Sequence, residues 1–167
     1  PMAIKVAVNG FGRIGKLVVR AAFERGAVGK KFDIVAINDT HDPKLSAHLF
    51  KYDSTQGRFA GTVMGEPGKL TINDHPMAIV SSRDPATLNW GGMGVDLVLE
   101  CTGAFTDRAG SSLHLKAGAK RVIVSAPVKD VDKIRTFVYG INHTSFNKET
   151  DLIVSNAAFQ WLTGLSG

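Results

Sequence analysis

Three glycines at the spacing Gly10-x-Gly12-x-x-Gly15 are the residues of this chain with the plainest chemical use. A glycine turn that opens a helix can cradle a pyrophosphate. The first glycine permits the tight turn, the second lets phosphates approach the backbone, and the third lets helix and strand pack closely. Free N–H groups at the helix start, together with the helix dipole, favour the two negative charges. Asp39 stands 24 residues beyond Gly15. A carboxylate there can accept hydrogen bonds from the adenosine ribose hydroxyls and would repel a 2′-phosphate, and no Lys or Arg directly follows it, so the motif points to NAD over NADP. The plainer reading of Asn38-Asp39-Thr40 is a turn cap. Cys101 reads as a small apolar residue beside a core strand in preference to a nucleophile, because no histidine lies near it in sequence.

The elements around these residues follow from their periodicity. Ile4 to Val8 is a β-branched run stopping at Asn9-Gly10, a buried strand. From Arg13 to Arg25 the apolar positions Ile14, Leu17, Val18, Ala21 and Ala22 recur at helical spacing, which predicts a helix burying that face and ending at Gly26. Asp33 to Asn38 is a second apolar strand, so the unit is βαβ and the sheet parallel. A short helix is predicted over 43–51. Arg58 to Val63, Lys69 to Ile72 and Met77 to Ser81 read as short strands, separated by turns at Gly65-Glu66-Pro67-Gly68 and Asn73-Asp74, which predicts an antiparallel insertion. The parallel pattern resumes with a strand from Val95 to Glu100, a helix around Asp107 to Ala117 and a strand from Arg121 to Ser125. Thr136 to Ile141 and Leu152 to Ser155 fit two more strands. The fold class is therefore α/β: a Rossmann-type, doubly wound, mostly parallel sheet with a small antiparallel insertion.

Composition narrows the classes. The 167 residues are 44% hydrophobic and 21% charged, ordinary for a soluble domain, and no apolar run approaches membrane-spanning length. A cytoplasmic protein with no membrane partner is expected. The net charge of +5 suits an anionic cofactor or a phosphorylated substrate, but Lys and Arg are scattered, with Lys30-Lys31 and Lys120-Arg121 the densest pairs, so a nucleic-acid role is disfavoured. A single cysteine excludes an intramolecular disulfide and cysteine-based zinc spacing, and the five histidines show no ligand spacing, so no metal is expected.

Longer stretches tie the glycine turn to one family. Asn9-Gly10-Phe11-Gly12-Arg13-Ile14-Gly15, Tyr52-Asp53-Ser54-Thr55-Gln56-Gly57, Ser82-Arg83-Asp84-Pro85 and Glu100-Cys101-Thr102-Gly103-Ala104-Phe105-Thr106 follow one another in the order of the phosphorylating glyceraldehyde-3-phosphate dehydrogenases. Ala119-Lys120-Arg121-Val122-Ile123-Val124-Ser125-Ala126-Pro127, Gly140-Ile141-Asn142-His143 and Ile153-Val154-Ser155-Asn156-Ala157 complete the resemblance, which runs from about residue 3 to residue 157. It implies NAD as cofactor, with Asn9, Gly10 and Gly12 in the cofactor turn and the backbone of Arg13 and Ile14 on the pyrophosphate. Asp39 would hold the adenosine ribose and Arg83 would lie near the adenine end. Thr102 and Ser125 would line the path towards the nicotinamide. In the family's full-length form it further implies a phosphorylated aldehyde substrate, glycolytic oxidation and a homotetramer.

One departure bears on catalysis. In the family, Ser-Asn-Ala is followed by Ser and then the nucleophilic Cys. Here Ala157 is followed by Ala158, and Phe159 stands at the cysteine position. A phenylalanine supplies no thiolate. The expectation is an NAD-binding Rossmann domain over 1–157 and a tail over 158–167 unlike the family, with the family's catalytic domain absent. Such a chain would bind NAD and lack catalytic residues. A non-catalytic NAD-binding or interaction module, and a fragment of an erythrose-4-phosphate dehydrogenase, stay open as alternatives.

Overall fold

The apolar run at the start forms β1 (Ile4–Asn9), and the chain turns at Gly10 into α1 (Arg13–Glu24) before returning as β2 (Phe32–Asn38), parallel to β1. The computed structural model describes residues 3–125, 128–129, 132–137, 143–145, 147 and 149–156. α2 (Pro43–Lys51) begins at the capping carboxylate of Asp42, which accepts from the Lys44 amide at 2.9 Å, and has Pro43 in its first turn. A two-stranded ribbon follows, β3 (Tyr52–Asp53) and β4 (Gly57–Arg58). Its turn is closed by Asp53, whose Oδ1 accepts from the amides of Thr55 and Gln56 at 2.7 Å each. The hydrogen bonds from Gln56 and Thr55 hold this exposed carboxyl below the usual carboxylate range.

β5 (Val63–Glu66), β6 (Lys69–Ile72) and β7 (His75–Val80) run antiparallel to one another, and β7 then pairs in parallel with β2. The antiparallel stretch is thus the edge of the main sheet. β8 (Leu97–Glu100), α3 (Arg108–Lys116) and β9 (Arg121–Val124) continue the parallel pattern, with β10 (Arg135–Phe137) and β11 (Ile153–Asn156) beyond them. The sheet order is β10-β11-β9-β8-β1-β2-β7-β6-β5. β1 lies between β2 and β8, so successive parts of the chain leave it in opposite directions. Such a reversal opens a crevice at the carboxyl ends of the strands. The doubly wound, mostly parallel sheet is the one the sequence predicts.

Alternation along the strands fills two layers. β1 sends Val8 to a core with Phe11, Val19, Ile37 and Phe50, and Ala7 to a second core with Ala36, Trp90, Val95 and Val98. Three expectations are corrected. α1 buries Gly15, Val19, Arg20 and Ala22; of the predicted stripe Ala22 is thus buried, Ile14, Leu17 and Ala21 are half-buried, and Val18 is 36% exposed. The reason is Arg20, whose guanidinium donates to the carbonyls of Gly57 (2.7 Å), Gln56 (3.2 Å) and Arg58 (3.4 Å) and to Glu24 (2.8 Å), which turns the helix towards the ribbon. The strand expected at Arg58 to Val63 splits instead between β4 and β5, and β5 runs through the expected turn residues Gly65 and Glu66. Gly65 serves close packing: a Cβ there would overlap the Pro43 carbonyl at the start of α2. The turn itself is Pro67-Gly68, with Gly68 at φ +75°. The Asn73-Asp74 turn is as expected, both residues having positive φ. The strand expected over Thr136 to Ile141 is described only as far as Phe137, beginning one residue earlier at Arg135.

Candidate functional site

At the carboxyl ends of β1, β2, β7 and β8 the four following loops enclose a cleft of about 380 Å³. β1 contributes Asn9, Gly10, Phe11 and Gly12, and β2 contributes Asn38, Asp39, Thr40 and His41. Ser82 and Arg83 come from the loop after β7, and Cys101, Thr102, Ala104 and Phe105 from the loop after β8. Six of the nine candidate residues therefore meet around one cavity: Asn9, Gly10, Gly12, Asp39, Arg83 and Thr102. The side chains of Arg13, Ile14 and Ser125 are not among its walls.

The turn from β1 into α1 is built for close approach. Gly10 has φ +95°, and a Cβ there would stand 2.7 Å from Thr102 Cγ2 and 2.9 Å from Thr102 N. Gly15 packs so tightly that its Cβ would overlap the Gly10 carbonyl oxygen. Gly12 is the opposite case: a Cβ there would meet nothing within 4 Å, so its missing side chain leaves space in the cleft. Gly12 caps α1 without a side chain, and the first bond into the helix is from Lys16 N to the Gly12 carbonyl at 3.0 Å. The amides of Arg13, Ile14 and Gly15 thus have no acceptor within the helix, which is the donor set an anion can use. Phe11 anchors the turn by stacking on Phe50 of α2, with ring centroids 5.8 Å apart.

A belt of polar side chains runs beneath the cleft across the strand ends. Asn38 at the end of β2 exchanges two hydrogen bonds with Ser82 backbone (2.8 and 2.9 Å) and donates to Asn9 Oδ1 at 2.7 Å. Asn9 at the end of β1 donates to Glu100 Oε2 at the end of β8, at 2.6 Å. Ser125 after β9 donates both its amide and its hydroxyl to the Glu100 carbonyl at 3.0 Å. Glu100 is 1% exposed. Its Oε2 also accepts from His114 Nε2 at 2.6 Å, and its Oε1 accepts from Thr102 N (3.0 Å) and Thr102 Oγ1 (2.5 Å). Four donors and no acceptor surround it, the pattern of a carboxylate. His114 is fixed by Trp90, whose indole N–H donates to Nδ1 at 3.0 Å. An indole nitrogen can only donate, so Nδ1 carries the lone pair and Nε2 the proton: His114 is neutral and serves the anion as a donor.

Sequence reasoning missed Asn38, Glu100, His114 and Trp90. A signal was present for two of them: β2 and β8, like β1, are apolar runs closed by one large polar residue, at Asn38, Glu100 and Asn9. His114 and Trp90 carried none, since nothing local in the sequence marks which way their side chains turn.

Asp39 is buried, with Oδ2 accepting from Ser46 Oγ of α2 at 2.6 Å and Oδ1 paired with His41 Nδ1 at 2.9 Å. Arg83 is presented by its neighbours: Ser82 Oγ accepts the Asp84 amide at 3.1 Å, and Asp84 Oδ1 caps the single helical turn Pro85–Thr87 through Ala86 N at 3.0 Å. Cys101 also lines the cleft. Burial pushes its thiol up to about 11, the neighbouring Glu100 charge adds to the rise, and a contact with the Ser125 hydroxyl opposes it. Iodoacetamide at pH 7.5 should alkylate Cys101 about a hundredfold more slowly in the folded chain than in urea, because the thiolate fraction falls tenfold per unit of pKa. Equal rates before and after unfolding would contradict this.

Comparison with known proteins shows the family. The family described as glyceraldehyde 3-phosphate dehydrogenase, NAD binding domain, matches residues 4–108, which include every wall of the cleft. The chain is 50% identical over 155 residues to glyceraldehyde-3-phosphate dehydrogenase 1 of Nostoc sp., covering 93% of this chain and 44% of the relative. It is 49% identical over 158 residues to the plasmid glyceraldehyde-3-phosphate dehydrogenase of Cupriavidus necator (94% and 46%), and 47% identical over 156 residues to the Danio rerio enzyme (93% and 44%). The chain spans a little under half the length of these curated relatives. No helix among the described residues is long and apolar enough to cross a membrane. With a parallel sheet reversing at β1, a glycine turn open to the crevice and this similarity along nearly all its length, the chain belongs to the glyceraldehyde-3-phosphate dehydrogenase family, as its NAD-binding domain.

Proposed function

We propose that the cleft at the strand ends is where the chain holds NAD, as a domain covering residues 1–157. The amides that begin α1, at Arg13 and Ile14, take the pyrophosphate over Gly10 and Gly12. Asp39 takes the adenosine ribose hydroxyls, and Arg83 lies at the adenine end. Thr102, with Ser125 behind it, lies towards the nicotinamide, and Asn9 holds the floor. The observation that carries this reading is the open space over Gly12, beside unpaired helix-start amides and in one cavity with Asp39. The residues fit a dinucleotide: donors for the two phosphates and an acceptor for the ribose, in a crevice of suitable kind. NAD, when bound, supplies the hydride acceptor for oxidation of an aldehyde.

For the whole protein we assign phosphorylating oxidation of glyceraldehyde 3-phosphate, in a cytoplasmic homotetramer, on the names of its relatives and the family resemblance. The 167 residues themselves carry no catalytic thiol in our reading. Phe159 stands where the motif places the nucleophile, and the one cysteine of the sequence, Cys101, is held protonated. Isothermal titration should give saturable NAD binding, and Asp39→Ala should weaken it by about tenfold or more, the worth of a charge-assisted hydrogen bond. The same sample should form no NADH from glyceraldehyde 3-phosphate and phosphate. Absence of NAD binding would remove the cofactor reading, and turnover would remove the inactivity reading.

A further inference from the structure

The carboxylate that should exclude a 2′-phosphate does not stand alone. His41, two residues on, lays its ring against Asp39, with Nδ1 2.9 Å from Oδ1 and the His41 amide 3.3 Å from the same oxygen. The side chain of Asp39 is 6% exposed and that of His41 is 53% exposed, so the imidazole is the part of the pair that solvent and ligands meet. Both line the cleft, and so does Arg83 from the loop after β7. The other titratable wall residue is Cys101, held protonated across β1. Asp42, next in sequence, is occupied in capping α2, and Ser46 of α2 covers the remaining oxygen of Asp39.

We infer that His41 sets cofactor choice in this site: its charged form masks Asp39 and, with Arg83, admits adenine dinucleotides bearing a 2′-phosphate. The inference rests on the placement of NAD proposed above. Asp39 only accepts hydrogen bonds, so the ring's Nδ1 carries a proton. In the neutral ring Nε2 is then a lone pair, which a phosphate oxygen avoids. In the imidazolium Nε2 becomes a donor, and the ring's charge cancels that of Asp39. Acid conditions favour the charged ring, and so turn a site selective for ribose hydroxyls into one that also takes a phosphate. The sign is definite: NADP affinity relative to NAD rises as pH falls.

The test is fluorescence or calorimetric titration of the full chain with NAD and with NADP at pH 8 and pH 5.5. It compares the wild type with His41→Gln, which keeps polarity without charge, and His41→Lys, which keeps charge throughout. The ratio of NADP to NAD affinity should rise about tenfold in the wild type on acidification, as one charge-assisted hydrogen bond is gained. It should stay low in His41→Gln and high at both pH values in His41→Lys. The 2′-phosphate itself titrates near pH 6, but identically for all three proteins, so the difference between them is the readout. Equal pH dependence in wild type and His41→Gln overturns the role of His41 while leaving the NAD site standing. No binding of NAD by the wild type at either pH overturns both.

Discussion

Glu100→Ala should destabilise the folded chain by roughly 3–5 kcal/mol, the cost typical of removing one partner from a buried charged network, read as a shift in the urea midpoint by far-ultraviolet circular dichroism. The size follows from what the carboxylate leaves behind. Asn9 Nδ2 and His114 Nε2 lose their acceptor in a buried place, and both donors of Thr102 lose theirs at the exposed edge of the cleft. Each stranded donor costs about 1–3 kcal/mol, partly relieved by relaxation. Glu100→Gln separates charge from shape. Its amide keeps one acceptor oxygen but turns an NH₂ towards two donors, so it should lie between wild type and alanine, at about 2 kcal/mol. His114 offers no easy escape, because Trp90 already uses its Nδ1 lone pair. Although Glu100 does not line the cleft, Glu100→Gln should weaken NAD binding, since Asn9 and Thr102 stand between it and the cavity. Glu100 is in this sense a positioning residue. Two variants within about 0.5 kcal/mol of wild type would show that the belt contributes nothing to stability.

The same belt marks the limit of what the sequence discloses. Local pattern suffices for the β-branched runs, the glycine turn and the Asn73-Asp74 hairpin, because each is decided by neighbours within a few residues. It fails wherever a residue answers to something distant. Arg20 reads as a polar position, yet it is buried because three carbonyls of the β3–β4 ribbon, more than thirty residues away, accept its guanidinium. Gly65 reads as a turn, yet its missing side chain makes room for the start of α2. For the site, the glycines and Asp39 were legible by spacing alone, whereas Arg83 and Thr102 entered through family resemblance. That His41 lies on Asp39 and that His114 serves Glu100 are matters of side-chain direction across elements, which no periodicity records.

The glycines themselves give the sharpest separation of binding from folding. Gly12→Ala should lower NAD affinity by tenfold or more, about 1.4 kcal/mol, while changing stability by no more than about 1 kcal/mol, the ordinary loss when alanine replaces a glycine cap. The backbone there has φ −78°, which alanine adopts freely, and the new methyl would touch no protein atom within 4 Å. It would instead occupy the cleft beside the free amides of α1, where the phosphates must approach. Gly15→Ala should behave differently, losing roughly 3 kcal/mol of stability together with binding. Its methyl would overlap the Gly10 carbonyl, with Val8 Cγ1 3.5 Å away, so α1 would have to back off from the turn it is meant to serve. Gly10→Ala shares that fate for a further reason: its φ of +95° is costly for any residue with a Cβ, and Thr102 blocks relief. Titration of NAD into each variant, paired with its urea midpoint, distinguishes these cases. Loss of stability in Gly12→Ala as large as in Gly15→Ala would mean that the space over Gly12 belongs to the fold and not to a ligand.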